Sequence, residues 1–310
     1  MSNHGITFSR RDMLCTTAAL TLGAVAPRRL AAAPLELDLN RPADNLLAYL
    51  KMRASIESGD VYFWFTGGLD LAAPGEPIAA IITVESLLRR EVRALEDGVF
   101  RITDWEAAIY RDLQTGALAE TIRNPVTGRM VQPLHYREGP VPFEWRADRQ
   151  PRLIGMDSPF AEKDEPFGYP YKRVGNDLWM TKASYFSNRP HWLDMNEWPL
   201  ETPAATMNVA SISTLQARWS DITDPAQASV PTQFSYQATS GWLPWMLMGQ
   251  RPGYVIWHEA GKKLTSLDEA PADTLALMRQ VHPQWFRRPV PWEGFTNLYL
   301  QYKASRSPAR

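Results

Sequence analysis

Cysteine is nearly absent: the 310 residues contain one, Cys15. It lies in the N-terminal stretch, so residues 34–310 have no thiol for a disulfide, an iron–sulfur cluster or a cysteine nucleophile. Histidine is scarce too, at five. The four beyond the N-terminus, His135, His191, His258 and His282, share no ligand spacing, so no metal is expected. Charge of one sign is also missing, with 33 Lys and Arg against 34 Asp and Glu. No basic block tracks a phosphate backbone, which excludes nucleic acid as a partner. No apolar run approaches the roughly 20 residues of a membrane span. G-x-G-x-x-G, P-loop, G-x-S-x-G and H-E-x-x-H patterns are absent, removing dinucleotide, nucleotide, serine-hydrolase and zincin chemistry as defaults. No cofactor is expected.

The N-terminus reads as an address. Ser9-Arg10-Arg11 precedes a weakly apolar stretch from Met13 to Ala26, then Arg28, Arg29 and the small residues Ala31, Ala32 and Ala33. That order fits a twin-arginine signal over residues 1–33, with the translocase as a transient partner and a periplasmic or secreted destination. Residues 34–310 then read as one β-rich domain, because no linker divides them.

Aromatic residues are abundant: twelve Trp, eleven Tyr and eleven Phe. Rings favour strands and fill cores, and they also wall small-molecule pockets. Asp44 is read as the N-cap of a helix over residues 45–52. Residues 61–65 form an aromatic strand and residues 78–84 a second, extended by an ambiguous segment to residue 95. Residues 99–113 change parity, which predicts a bulge near Thr103 and Asp104. Residues 118–122 and 129–136 are read as further strands, and residues 139–170 as a surface excursion or lid. Strands follow at 171–174, 178–186, 210–219, 232–238 and 254–258, with a turn at Gly261. A helix runs from Ala272 to Val281 between Pro271 and Pro283, and a last strand covers residues 297–302. Short strands with frequent turns argue an antiparallel β-barrel of calycin or lipocalin type, or a sandwich.

Residues 242–253 place Trp242, Trp245, Met246 and Met248 beside Gln250 and Arg251. This is either a buried crossover or a pocket wall whose Gln250 and Arg251 orient a polar group. His258 is a candidate acid or base. Arg123, at the Asn124-Pro125 turn, is a candidate to converge with His135 and Tyr110. Tyr62, Trp64 and Tyr185 are candidate walls of the same cavity.

Leu39-Asn40-x-Pro42-x-Asp44-Asn45-Leu46, the aromatic strand through Thr66, Arg123-Asn124-Pro125-x-Thr127-Gly128 and above all residues 242–253 resemble the DUF1838 family. The resemblance spans residues 36–302, implies that the 242–253 stretch is a family trait, and carries over no catalytic residue. Two functions fit. One is a cofactor-independent lyase, isomerase or dehydratase acting on a small apolar, aromatic or polycyclic molecule. The other is a carrier or scavenger of hydrophobic metabolites.

Overall fold

A computed structural model describes residues 33–155, 164–288 and 294–309. The twin-arginine segment lies outside these residues except for Ala33, and part of the expected lid, 156–163, lies outside them as well.

The first helix, α1, spans Pro42–Arg53. It starts earlier than expected because Pro42, pre-set in φ and without an N–H to leave unpaired, begins the first turn after Arg41. Asp44 is therefore not the cap. It sits in the first turn and accepts from the Asp38 N–H at 3.0 Å. The long strands β1 (Gly59–Ala72), β2 (Ala79–Ala94) and β3 (Phe100–Arg111) follow. The ambiguous segment is thus strand, continuous with the one before it. A small hairpin comes next, β4 (Ile122–Arg123) with β5 (Met130–Val131), far shorter than the strands expected there. The chain then makes β6 (Tyr136–Arg146), β7 (Arg149–Leu153), β8 (Tyr171–Val174), β9 (Asp177–Pro190) and β10 (Thr206–Arg218). A short helix α2 (Trp219–Thr223) leads to β11 (Gln233–Ser240) and β12 (Tyr254–Leu264), then helices α3 (Ala272–Val281) and α4 (Leu298–Ser305).

Ten strands form one antiparallel sheet in the order β7-β6-β3-β2-β1-β12-β11-β10-β9-β8. The chain is therefore mainly β and antiparallel. Among the described residues no ladder joins β7 to β8, so the sheet is open in its hydrogen bonding. Both of its halves nevertheless meet on α1. The Tyr49 ring lies 5.2 Å from Trp145 of β6 and 4.5 Å from Tyr169, just before β8. Leu178 and Met180 of β9 and Leu215 of β10 join the same apolar cluster as Phe63 and Phe65 of β1. We call the face holding α1 the inner face. The outer face of β1–β3 is covered by α3 and Trp285, against Leu87, Ala107 and Ile109.

Four expectations are corrected. Residues 139–153 belong to the sheet rather than to a surface excursion. The bulge lies on β6, not β3: Asp104 pairs with Val141 and Glu106 with Glu138, a two-residue step facing a three-residue one. The parity of β3 only seemed to change because that strand is apolar on both covered faces. Gly261 is not a turn. A side chain there would meet the Trp64 carbonyl at 2.1 Å, so glycine lets β1 and β12 approach within an unbroken strand. Residues 298–302 are helix, because the Asn297 side chain accepts the Leu300 N–H at 3.0 Å and caps α4.

Candidate functional site

Successive side chains of a strand alternate between faces, so the register assigns the inner residues. On β1, Val61, Phe63 and Phe65 belong to the α1 cluster, and Leu69 and Leu71 belong to a second cluster. That second cluster holds Trp242, Trp245, Met246 and Met248 together with Leu298 and Tyr302 of α4. Two apolar plugs therefore occupy the inner face, one at each end of β1. Gly67 falls between them.

The inner residues at this middle level are polar. Glu106 faces Glu138 directly across the β3–β6 ladder. Gly67 faces Glu259, and Glu259 faces Tyr236. Tyr236 faces Ser213, and Ser213 faces Lys182. The hydroxyl of Tyr136 donates to Glu106 Oε1 at 3.1 Å. Glu259 is only 8% exposed, and its Oε1 has no hydrogen-bond partner. The Tyr110 hydroxyl and Trp245 Nε1 are likewise buried without a partner at hydrogen-bond geometry. Orphaned buried polar atoms are uncommon in folded proteins, and each asks for a function or a bound group.

Among the described residues, no Lys or Arg forms an ion pair with Glu106, Glu138 or Glu259. Burial, then the neighbouring Glu106 and Asp104 charges, raises Glu138 to about 8. Burial and Glu106 raise Glu259 to about 8. Burial also raises Glu106, while the hydrogen bond from Tyr136 and the positive charge of Arg90 oppose that rise. Burial pushes the Tyr236 phenol up, and the charges of Glu259, Glu106 and Glu138 add to it. Tyr236 on β11 and Glu138 on β6 are five strands apart in the sheet, yet the Glu138 charge acts on Tyr236. They face across the inside of the curl. Near neutral pH Glu138 and Glu259 are protonated and can donate, beside Glu106, which the Tyr136 hydroxyl and Arg90 favour as the acceptor.

A cleft of about 550 Å³ opens at the end plugged by residues 242–248. Its lining includes Val209 and Ser240 of the inner face, Gln250, Arg251, His191 and Tyr299 of α4. Burial and the Glu138 charge raise the Tyr299 phenol to about 12. Tyr299 thus lines the cleft and lies within electrostatic reach of the belt.

The structure unites only some of the residues singled out from the sequence. Tyr110 is on the inner face, its ring 5.5 Å from Trp245. His135 does adjoin Tyr110, but its Nδ1 accepts the Tyr110 N–H at 3.0 Å and takes the place of a ladder partner. Burial, then the neighbouring His282, lowers His135 to about 4, so it is a neutral strand-end acceptor. Arg123 is exposed on the β4–β5 hairpin and does not converge with them. Its neighbour Asn124 is the buried member, donating to the Met246 carbonyl at 2.9 Å and accepting from Val126 N–H at 2.9 Å.

His258 points outward, 3.3 Å from Asp70, with half its side chain exposed. Tyr62 and Trp64 also leave the inner face. Their parity turns them outward, under α3 and Trp285. Tyr185 is 65% exposed. None of these four lines the belt. Trp242, Trp245 and Met246 are buried plug residues, while Gln250 and Arg251 are exposed at the cleft.

Sequence reasoning missed Glu106, Glu138, Glu259, Tyr136 and Tyr236. One signal was available for Glu106: a glutamate lodged in the apolar run Trp105 to Tyr110, in a structure type that disfavours it.

No helix among the described residues is long and apolar enough to cross a membrane. No curated protein matches the chain. The profile of a family described as "Protein of unknown function (DUF1838)" matches residues 58–299, from the start of β1 into α4. That span holds the whole sheet, all three belt carboxyl groups and the plug at residues 242–248, and the chain belongs to the DUF1838 family.

Proposed function

We propose that this protein is a cofactor-independent acid–base enzyme of the isomerase, lyase or dehydratase type. Its curled sheet would work as a calycin-like container for a small apolar molecule bearing an acceptor oxygen. One observation carries the reading: Glu106, Glu138 and Glu259 share the inner face and, among the described residues, form no ion pair. Burying an unpaired carboxyl group destabilises a fold, and a container that only binds apolar surface has no use for three. The carrier reading needs the rings alone and leaves these acids unexplained.

In the proposed reaction, a protonated acid, Glu138 or Glu259, donates to the substrate oxygen. Glu106, steadied by the Tyr136 hydroxyl, takes a proton from the adjacent carbon. The product of this half-reaction is an enol. Return of the proton to a different carbon completes an isomerisation. Residues 1–33 would send the protein through the twin-arginine route, in keeping with Ser9-Arg10-Arg11 and a remaining chain that holds no thiol.

Deuterium exchange tests the chemistry without the natural substrate. Aryl alkyl ketones and cyclic enones that bind the protein are incubated in D₂O, and their α-positions are read by mass spectrometry. Exchange in the wild type that is lost in Glu106→Gln, with binding kept, is the expected result. A bound ketone that exchanges no faster than free ketone would leave the carrier reading in its place.

A further inference from the structure

The cleft at the 242–253 end differs from the belt in charge. None of the residues lining it is an Asp or Glu, whereas Arg251 is among them. Arg251 is exposed, and among the described residues its guanidinium makes no ion pair. Its backbone, by contrast, is tightly held. Trp242 Nε1 donates to the Arg251 carbonyl at 2.7 Å. Two residues on, Gly253 passes so close to the Trp242 ring that a side chain there would meet ring carbons at 2.4 Å. That approach, made with φ at +130°, is one only glycine tolerates. The buried half of the family stretch therefore fixes the backbone from which Arg251 reaches the rim.

The belt sets the opposite condition. Its three acids form no ion pair among the described residues, and the cation at that level, Lys182, stands two strands beyond Tyr236, so a negatively charged group carried to Glu106, Glu138 and Glu259 would meet further negative charge. An amphipathic acid has one favourable orientation: apolar body inside, charge at the rim.

We infer that the cleft is a carboxylate-binding vestibule, with Arg251 as its anchor, and that the ligand class is an apolar carboxylic acid whose hydrocarbon or aryl part enters the curl. A guanidinium fork is suited to this role because it pairs with both carboxylate oxygens at once. Tyr299, which lines the cleft and senses Glu138, puts the cleft within electrostatic reach of the belt on the far side of the plug. The inference names the substrate class for the proposed function and rests on that reading for the fate of the apolar part. The rim charge can be tested separately.

The probes are 4-phenylbutanoate and its uncharged isostere 4-phenylbutanamide, titrated calorimetrically into the full-length protein at neutral pH. The carboxylate is expected to bind about tenfold more tightly than the amide, the usual scale of one charge-assisted contact. Arg251→Gln should remove that preference and leave amide affinity unchanged. Arg251→Glu should invert it. Because the Arg251 side chain is exposed and its backbone supplies the contact to Trp242, both variants keep the fold, which a melting curve verifies. Equal affinity of the wild type for both probes overturns the vestibule, as does a carboxylate preference that survives in Arg251→Gln. So does the absence of binding by either probe. In each of these cases, ketone exchange by the wild type would still uphold the belt chemistry, so the two readings fail separately.

Discussion

The two regions of the inner face treat buried charge in opposite ways. At the α1 end every buried cation has its partners. Lys51 Nζ donates to the Ile222 and Asp224 carbonyls at 2.9 and 2.8 Å. Lys263 Nζ donates to the Lys51 and Ala54 carbonyls at the C-terminal end of α1, at 2.6 and 3.0 Å. There it satisfies acceptors that the helix leaves open and complements its dipole. Arg90 and Arg53 both reach Asp104 at 3.1 Å, and Arg90 also lies 4.8 Å over the Phe63 ring. A few residues along the same strands, Glu106, Glu138 and Glu259 have no such partners. One region is arranged for stability. Burial lowers Lys263 and Arg90 in that region too, but hydrogen bonds hold both, whereas the belt holds acids raised by burial without an ion pair among the described residues.

Removing a partner at the sealed end should have the largest effect. Arg90→Leu leaves Asp104 short of one cation and Arg53 O without its donor, and should lower unfolding free energy by about 3–5 kcal/mol in urea titrations. A loss under about 1 kcal/mol would mean that the α1 end is no better paired than the belt.

The belt should respond in the opposite direction. Glu259 stands near 8 in the fold against an ordinary value of 4.5. The folded state therefore holds the proton more firmly than the unfolded chain does. Stability from this source is complete below about pH 4.5, falls as pH rises towards 8, and is flat above. Glu259→Gln should flatten that decline, leaving the variant more stable than the wild type at pH 9, on the order of a few kcal/mol. Melting temperatures from pH 5 to 9 measure it. Parallel wild-type and variant curves would show that Glu259 ionises normally.

The smallest effect should come from the outer face. His258→Ala removes a half-exposed pair with Asp70 and should shift stability by no more than about 0.5 kcal/mol. It should leave ketone exchange and ligand binding at wild-type levels. Loss of exchange in this variant would return His258 to the reaction.

Several elements could be read from the chain directly. Helix α3 occupies Ala272–Val281 as expected, because Pro271 and Pro283 bracket an apolar repeat. The aromatic run at residues 61–65 is strand, since rings and β-branched residues crowd it between glycines. The stretch 242–253 stood out by composition, and it forms both the plug and the rim. The candidate acids were not legible in the same way. A lone glutamate in a strand reads as solvent-facing until the register says otherwise. In β3 both faces are covered, so no hydrophobic alternation marks which of Trp105 and Glu106 points inward. Gly139 hid the register further, since the extra residue in β6 changes the pairing with β3.

Local chemistry therefore determined much from sequence alone: an antiparallel, aromatic-rich chain with no thiol in residues 34–310, its turn residues, its α3 helix and its family stretch. These depend on neighbours a few positions apart. Only the tertiary structure decided that His258 faces outward, that Arg123 stands apart, and that three glutamates from β3, β6 and β12 share one interior. Their meeting depends on the register of six strands and on the curl that brings β6 opposite β11. Contacts of such long range leave no periodic trace in the chain, because each acid satisfies its own strand's alternation equally well on either face.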